Sequence, residues 1–62
     1  MHMLGGLTMA TTIKSKRVSY GTIELKDHGG QSPRYSIWVD GVIHEVSDDY
    51  DFMEKTFDSK YH

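Results

Sequence analysis

A chain of 62 residues that carries seven Lys or Arg against nine Asp or Glu, a formal net charge of −2, has room for one small hydrophobic core. It contains no cysteine, which excludes disulfides and thiolate metal sites and favours a cytoplasmic location. No apolar run reaches the roughly 18 residues that a membrane-spanning helix needs, so we expect no membrane association.

The N-terminal segment has neither the basic start nor the sustained apolar stretch of a signal peptide. Met9 offers an alternative start, and Met1 to Met3 resemble a cloning remnant. We therefore interpret residues 1–10 as a disordered leader or cloning remnant and residues 11–62 as a single small domain.

The first predicted strand lies in residues 18–26, where apolar and polar side chains alternate but the phase changes at Gly21. Before the glycine, Val18 and Tyr20 occupy even positions. After it, Ile23 and Leu25 occupy odd positions. A glycine β-bulge at this point would keep all four on one face, which predicts one bent strand. A tight turn at Tyr20-Gly21 is the alternative. The Gly-rich residues 27–33 follow as a loop.

Two β-rich runs, residues 35–39 and 42–46, flank Asp40-Gly41 and predict a β-hairpin. An Asp-Gly pair suits a two-residue type I′ turn, because both central residues take positive φ. An uninterrupted register from this turn sorts the side chains into two faces. The face expected to form the core carries Tyr35, Ile37, Val39, Val42, His44 and Val46. The opposite face, open to solvent, carries Ser36, Trp38, Ile43 and Glu45.

Residues 47–62 change to helical spacing, with one apolar stripe at i, i+3, i+7 and i+11. The stripe consists of Tyr50, Met53, Phe57 and Tyr61. Ser47 or Asp48 is the expected N-cap, and the neighbouring carboxylates suit the positive end of a helix. The sequence therefore predicts an α+β fold, a three-stranded antiparallel β-meander packed against one C-terminal amphipathic α-helix (βββα).

Motifs for catalysis, cofactors and metals are missing. The four histidines share no ligand spacing, the acidic run from Asp48 lacks the Gly and Glu of an EF-hand, and Gly29-Gly30 opens no phosphate-binding helix. His44 is expected to point inward as a hydrogen-bonded core or edge residue. We expect no enzyme activity, no cofactor and no metal ion.

The favoured interpretation is a protein-binding module that uses the open sheet face and the acidic helix. Trp38 would be its anchor, unless residues 1–17 fold over it. The predicted contact set is Trp38, Ile43, Arg34, Glu45, Asp51, Glu54 and Asp58. Standalone domains of this size with a divided charge are typical of small phage or mobile-element accessory proteins, which act as inhibitors or adaptors of a host protein.

A nucleic-acid-binding βββα domain is the alternative, since residues 1–39 hold five Lys or Arg against two acidic residues. Its contact set would be Lys14, Lys16, Arg17, Lys26, Arg34 and Trp38. Self-association as a homodimer through an unpaired sheet edge also stays open.

Overall fold

The structure, a computed structural model, describes residues 10–62, so the interpretation of residues 1–9 lies outside it. Four strands precede one helix in chain order: β1 (Thr11–Val18), β2 (Gly21–Asp27), β3 (Tyr35–Val39), β4 (Val42–Ser47) and α1 (Tyr50–Lys60). Consecutive strands pair antiparallel in the order β1-β2-β3-β4, and α1 packs on one face. The predicted α+β class with an antiparallel meander is confirmed. The predicted number of three strands is wrong, because the sheet has four. Within the described residues, no helix is long and apolar enough to span a membrane.

The additional strand arises because the expected bent strand is a hairpin. Ser19 and Tyr20 form a turn, and Val18 pairs with Gly21 across it. Gly21 has a φ of +144°, and a Cβ there would lie 3.0 Å from the Asp40 side chain. The phase change therefore marks a chain reversal that only glycine accommodates easily, and the alternative of a tight turn was the better one.

Strand β1 lies in the plane of the sheet beside β2. Residues 11–17 therefore do not fold over Trp38. This part of the alternative, in which residues 1–17 cover the indole, is wrong. The sequence of β1 shows little apolar alternation, because Lys14 and Lys16 occupy positions on the side of the helix. The Lys16 Nζ lies 4.7 Å from the centre of the Phe57 ring and donates to the Phe57 carbonyl at 2.7 Å. Long lysine stems therefore cover the helix where apolar residues would be expected.

The Asp40-Gly41 turn is confirmed, with φ of 52° and 88° at its two residues. Trp38 then pairs with Ile43 as expected, but Ile37 pairs with Glu45 instead of His44. His44 is therefore an extra residue, a β-bulge, and every side chain beyond it changes face.

The bulge corrects several expectations for β4. Glu45 lies on the side of the helix, not on the open face, and Val46 lies on the open face, where it is 51% exposed. His44 does point to the helix side, at 6.3 Å between its ring centre and that of Tyr61, but it is exposed and not part of the core. Val42, another expected core residue, is 61% exposed beside the turn.

Helix α1 begins after Asp49, whose side chain accepts a hydrogen bond from the Phe52 amide at 3.1 Å. Asp49 is therefore the N-cap, in place of Ser47 or Asp48. Asp48 instead accepts hydrogen bonds from the Arg34 amide at 2.8 Å and from Ser32. Its carboxylate fastens the loop before β3 to the start of the helix.

The core lies between α1 and the central strands. Three residues of the predicted stripe are buried with three residues of β2 and β3, which confirms that part of the prediction. The six are Met53, Phe57, Tyr61, Ile23, Leu25 and Ile37. Tyr50 packs against them at the margin, with its ring centre 5.5 Å from that of Tyr35. So small a core makes each member important for stability.

We expect Phe57→Ala to lower the free energy of unfolding by about 3–5 kcal/mol, because Phe57 is almost fully buried. Phe52→Ala is the matched control: the same residue type in the same helix is 52% exposed and should change stability by less than about 0.5 kcal/mol. Urea denaturation measures both. If Phe57→Ala is already unfolded in water, Phe57→Leu replaces it. Equal urea midpoints for the Phe57 and Phe52 variants would contradict the packing described.

Gly21→Ala should destabilise the protein by about 1–3 kcal/mol, because alanine rarely adopts this φ and its Cβ meets Asp40. The same substitution at Gly30 introduces no contact within 4 Å and serves as the control. Thermal unfolding of the two variants measures the difference. A Gly21→Ala variant as stable as Gly30→Ala would mean that the β1–β2 turn is not formed as described.

Candidate protein-binding surface

The face of the sheet opposite α1 is called the open face. Directly paired residues in neighbouring strands share a face, and the buried residues Ile23, Leu25 and Ile37 mark the other side. By this pairing the open face consists of Thr12, Ser15, Arg17, Thr22, Glu24, Lys26, Ser36, Trp38, Ile43 and Val46. It therefore combines an apolar part on β3 and β4 with a polar part on β1 and β2.

Trp38 is the largest side chain of the open face, and it is half-buried. Its indole Nε1 donates a hydrogen bond to the Ser36 Oγ at 2.7 Å, two residues earlier on the same face of β3. The Lys26 Nζ lies 5.0 Å from the centre of the indole ring, within the range of a cation–π interaction. These contacts hold the indole in one orientation, away from the core cluster.

Ser36, which accepts this hydrogen bond from Trp38, is buried, with only 1% of its surface exposed. Its Oγ also lies 2.6 Å from the His28 Nε2, because the loop after β2 brings His28 back over the sheet. One hydroxyl therefore links the indole and the imidazole. Sequence reasoning missed this link, because His28 and Ser36 are eight residues apart and neither belongs to a motif.

Two aliphatic residues of β4 extend the apolar part of the open face from Trp38. Ile43 pairs with Trp38 directly, and Val46 pairs with Ser36. They are 48% and 51% exposed, respectively. The bulge at His44 places Val46 here, so the apolar area is larger than an uninterrupted register predicts.

Arg34 lies in the loop before β3 rather than on the open face. Its Nε and Nη2 donate to the two Asp27 carboxylate oxygens at 2.9 and 3.1 Å, and its guanidinium lies 5.3 Å from the Tyr35 ring centre. The hydrogen bonds from Arg34, followed by the one from the Gly29 amide, lower the pKa of Asp27. Arg34 therefore closes the loop, and its hydrogen-bonding capacity is partly used within the chain.

Glu45 makes internal contacts under the helix end. It accepts hydrogen bonds from the Lys60 ammonium and from the Tyr61 hydroxyl, the latter at 3.1 Å. The bond from Lys60 is the main cause that lowers the pKa of Glu45. Burial, followed by the hydrogen bond to Glu45, raises the pKa of Tyr61 to about 12. This carboxylate joins β4 to the end of the helix.

The acidic residues predicted on the helix are also largely engaged. The Lys14 Nζ lies 3.1 Å from an Asp58 oxygen and 3.5 Å from a Glu54 oxygen. The hydrogen bond to Asp58 is the main cause that raises the pKa of Lys14. Asp51, in the first turn of α1, is exposed. The acidic helix and the basic strand therefore meet each other, and the charge division along the chain is partly compensated within the fold.

The cations of the alternative set do not form one surface. Lys14 and Lys16 reach toward the helix, and Arg34 binds Asp27 in the loop. Arg17 and Lys26 lie on the open face, where the Lys26 ammonium is 3.8 Å from Glu24. The open face thus presents a mixed charge beside an apolar patch.

Residues 10–62 enclose no cavity, and no three of their His, Asp or Glu side chains are grouped so as to hold a metal ion. No protein-family model matches the chain, and comparisons with curated proteins and with solved structures find no match. The candidate surface therefore rests on its own geometry and chemistry.

We expect stability to fall as the pH drops below the ordinary Glu pKa of 4.5. Since Lys60 lowers the pKa of Glu45 in the folded state, the unfolded chain takes up the proton first, and acid favours unfolding. Glu45→Gln removes this contribution, so its melting temperature should decline less between pH 6 and pH 3 than that of the wild type. Lys60→Met should show the same flattening. Curves of equal slope for all three proteins would contradict the assignment.

Proposed function

We propose that this chain is a non-enzymatic protein-binding module whose open face, centred on Trp38, binds the partner. The observation that carries the proposal is an apolar patch, Trp38 with Ile43 and Val46, on the face of the sheet that the helix leaves uncovered. Aromatic residues that are partly exposed beside aliphatic ones are the usual anchors of protein interfaces.

The fixed orientation of Trp38 supports an anchoring role. A side chain already held by Ser36 and Lys26 loses little conformational freedom when a partner covers it. The polar residues beside the patch, Glu24 and Arg17 among them, resemble the hydrated rim that surrounds the centre of an interface.

A protein partner is favoured over nucleic acid because of how the cations are distributed. Phosphate binding needs several lysines and arginines aimed at one surface, whereas Lys14, Lys16 and Arg34 are occupied elsewhere in the fold. Two cations on the open face, Arg17 and Lys26, give a small electrostatic contribution. Nucleic acid remains the second candidate, because Trp38 offers an aromatic surface for base stacking.

The acidic helix plays a lesser part in this proposal than the open face. Glu54 and Asp58 would have to exchange Lys14 for a basic group of the partner, whereas Asp51 is exposed. We retain the role of an inhibitor or adaptor of a host protein in the cytoplasm, of the kind that phages and mobile elements encode, as part of the proposal.

The closest approach to a catalytic pair among the described contacts is Ser36 with His28, and its geometry supports a structural role. A nucleophilic serine must reach a substrate, but the Ser36 Oγ is buried and receives the Trp38 N–H. The same hydroxyl that would attack a substrate positions the proposed anchor instead.

Trp38→Ala should weaken binding to the natural partner by about 2 kcal/mol or more, as expected for a central anchor, and should lower stability less. Affinity capture from host lysate, with quantitative mass spectrometry and nuclease treatment, identifies partners that wild type retains. Phe52→Ala, a change at an exposed aromatic residue on the helix, is the matched control. Binding that survives in Trp38→Ala but not in Phe52→Ala would move the interface to the helix.

The same residue separates the two candidate functions, because Trp38 is the only tryptophan and reports on its own surroundings. Purified protein is titrated with single-stranded and duplex oligonucleotides while Trp38 fluorescence is followed. The proposal expects no saturable change. Quenching that weakens with a slope of about −0.9 per phosphate contact as salt rises would establish nucleic-acid binding instead.

A further inference from the structure

The two edges of the sheet differ in their resistance to further strand pairing. Strand β1 carries Lys14, Lys16 and Arg17, the kind of charged residue that discourages edge pairing. Strand β4 contains no Lys, Arg or Pro, and three of its residues are exposed aliphatics, 48–61% accessible: Val42, Ile43 and Val46. Within residues 10–62, β4 is therefore the more apolar edge strand and carries no cation of its own, and the Lys60 ammonium beside it is paired with Glu45.

Because of the bulge, the order in which β4 side chains occupy the two faces is the same when the strand is followed from either end. Reading along the strand, Val42 lies on the helix side and Ile43 on the open face, followed by the bulge pair His44 and Glu45 on the helix side. The order is then mirrored, because Val46 lies on the open face and Ser47, paired with Tyr35, on the helix side. A strand with this pattern is self-complementary when it is turned through 180° about the bulge.

We propose that β4 pairs antiparallel with β4 of a second copy of this chain, about a two-fold axis at the bulge. In this register Ile43 faces Val46 of the second copy on the open side, and Val42 faces Ser47 on the helix side. Each pair lies on a single face, as direct cross-strand neighbours must. A shift by one residue would pair Val42 with Val46, which lie on opposite faces.

The hydrogen-bonding groups at the centre are complementary as well. His44 of one copy faces Glu45 of the other, and the two-fold axis generates this pair twice. His44 is exposed in the single chain, so it is free to donate a ring N–H across the axis. An unmatched bulge interrupts a ladder because the facing strand has no extra residue, but here each copy supplies the same one.

The assembly would be one continuous sheet built from the four strands of each copy. An antiparallel pair has its two-fold axis perpendicular to the sheet, so both helices lie on one side and both open faces on the other. The two Trp38 patches would then form a single broad surface. Dimerisation needs no other partner, so it is tested separately from the function proposed above.

Sedimentation velocity at low and high micromolar concentration tests the pairing. Wild type should change from monomer to dimer, whereas Ile43→Lys should remain monomeric because the cation faces an aliphatic residue of the second copy. Ile13→Lys is the matched control, an exposed isoleucine on the β1 edge, and should dimerise like wild type. Urea midpoints show that each variant is folded. Wild type that stays monomeric, or equal dimerisation of the two variants, overturns the proposal.

A charge substitution at the bulge tests the register itself. His44→Glu places a carboxylate against Glu45 of the second copy, twice about the axis, and should weaken the dimer by about tenfold or more. His44→Lys keeps an attractive pair and should dimerise at least as well as wild type. Equal effects of these two substitutions would overturn the register. Loss of the dimer, with Trp38-dependent binding retained, would leave the proposed function standing.

Discussion

The packing of α1 against the central strands is the interaction on which the rest of the structure depends. Met53, Phe57 and Tyr61 are buried against a sheet that contributes three buried apolar residues, Ile23, Leu25 and Ile37. The sheet has a buried side only because the helix covers it. The open face, Trp38 included, has no helix packed over it, because the single helix covers the opposite face of the sheet.

Charged residues also contribute to the packing between the helix and the sheet. Lys14 and Lys16 extend from β1 toward the helix, and Lys60 extends from the helix toward Glu45 on β4. Each links the helix to an edge strand that contributes little to the apolar core. Exposed ion pairs of this kind stabilise weakly one by one, but the lysine stems also shield Phe57 from water. The opposite charges of the two halves of the sequence are therefore partly compensated within the fold, where Lys14 pairs with Glu54 and Asp58.

The sequence predicted the elements whose signals are local. Asp40-Gly41 requires positive φ, and the spacing from Met53 to Phe57 is that of one helix face, so both features could be inferred from few residues. Strand β1 was missed because lysines take the place of apolar residues on its inner side. The bulge at His44 was missed because an extra residue in a strand leaves no compositional mark. Because of that single extra residue, Glu45 does not lie on the candidate surface and Val46 does.

The order of the elements along the chain has a consequence for synthesis on the ribosome. Each hairpin of the meander joins strands that are neighbours in sequence, so the sheet can begin to assemble as soon as it emerges. The helix is translated after all four strands. Leu25 and the other apolar residues beneath it therefore face water in the nascent polypeptide until residues 50–61 have been released to cover them.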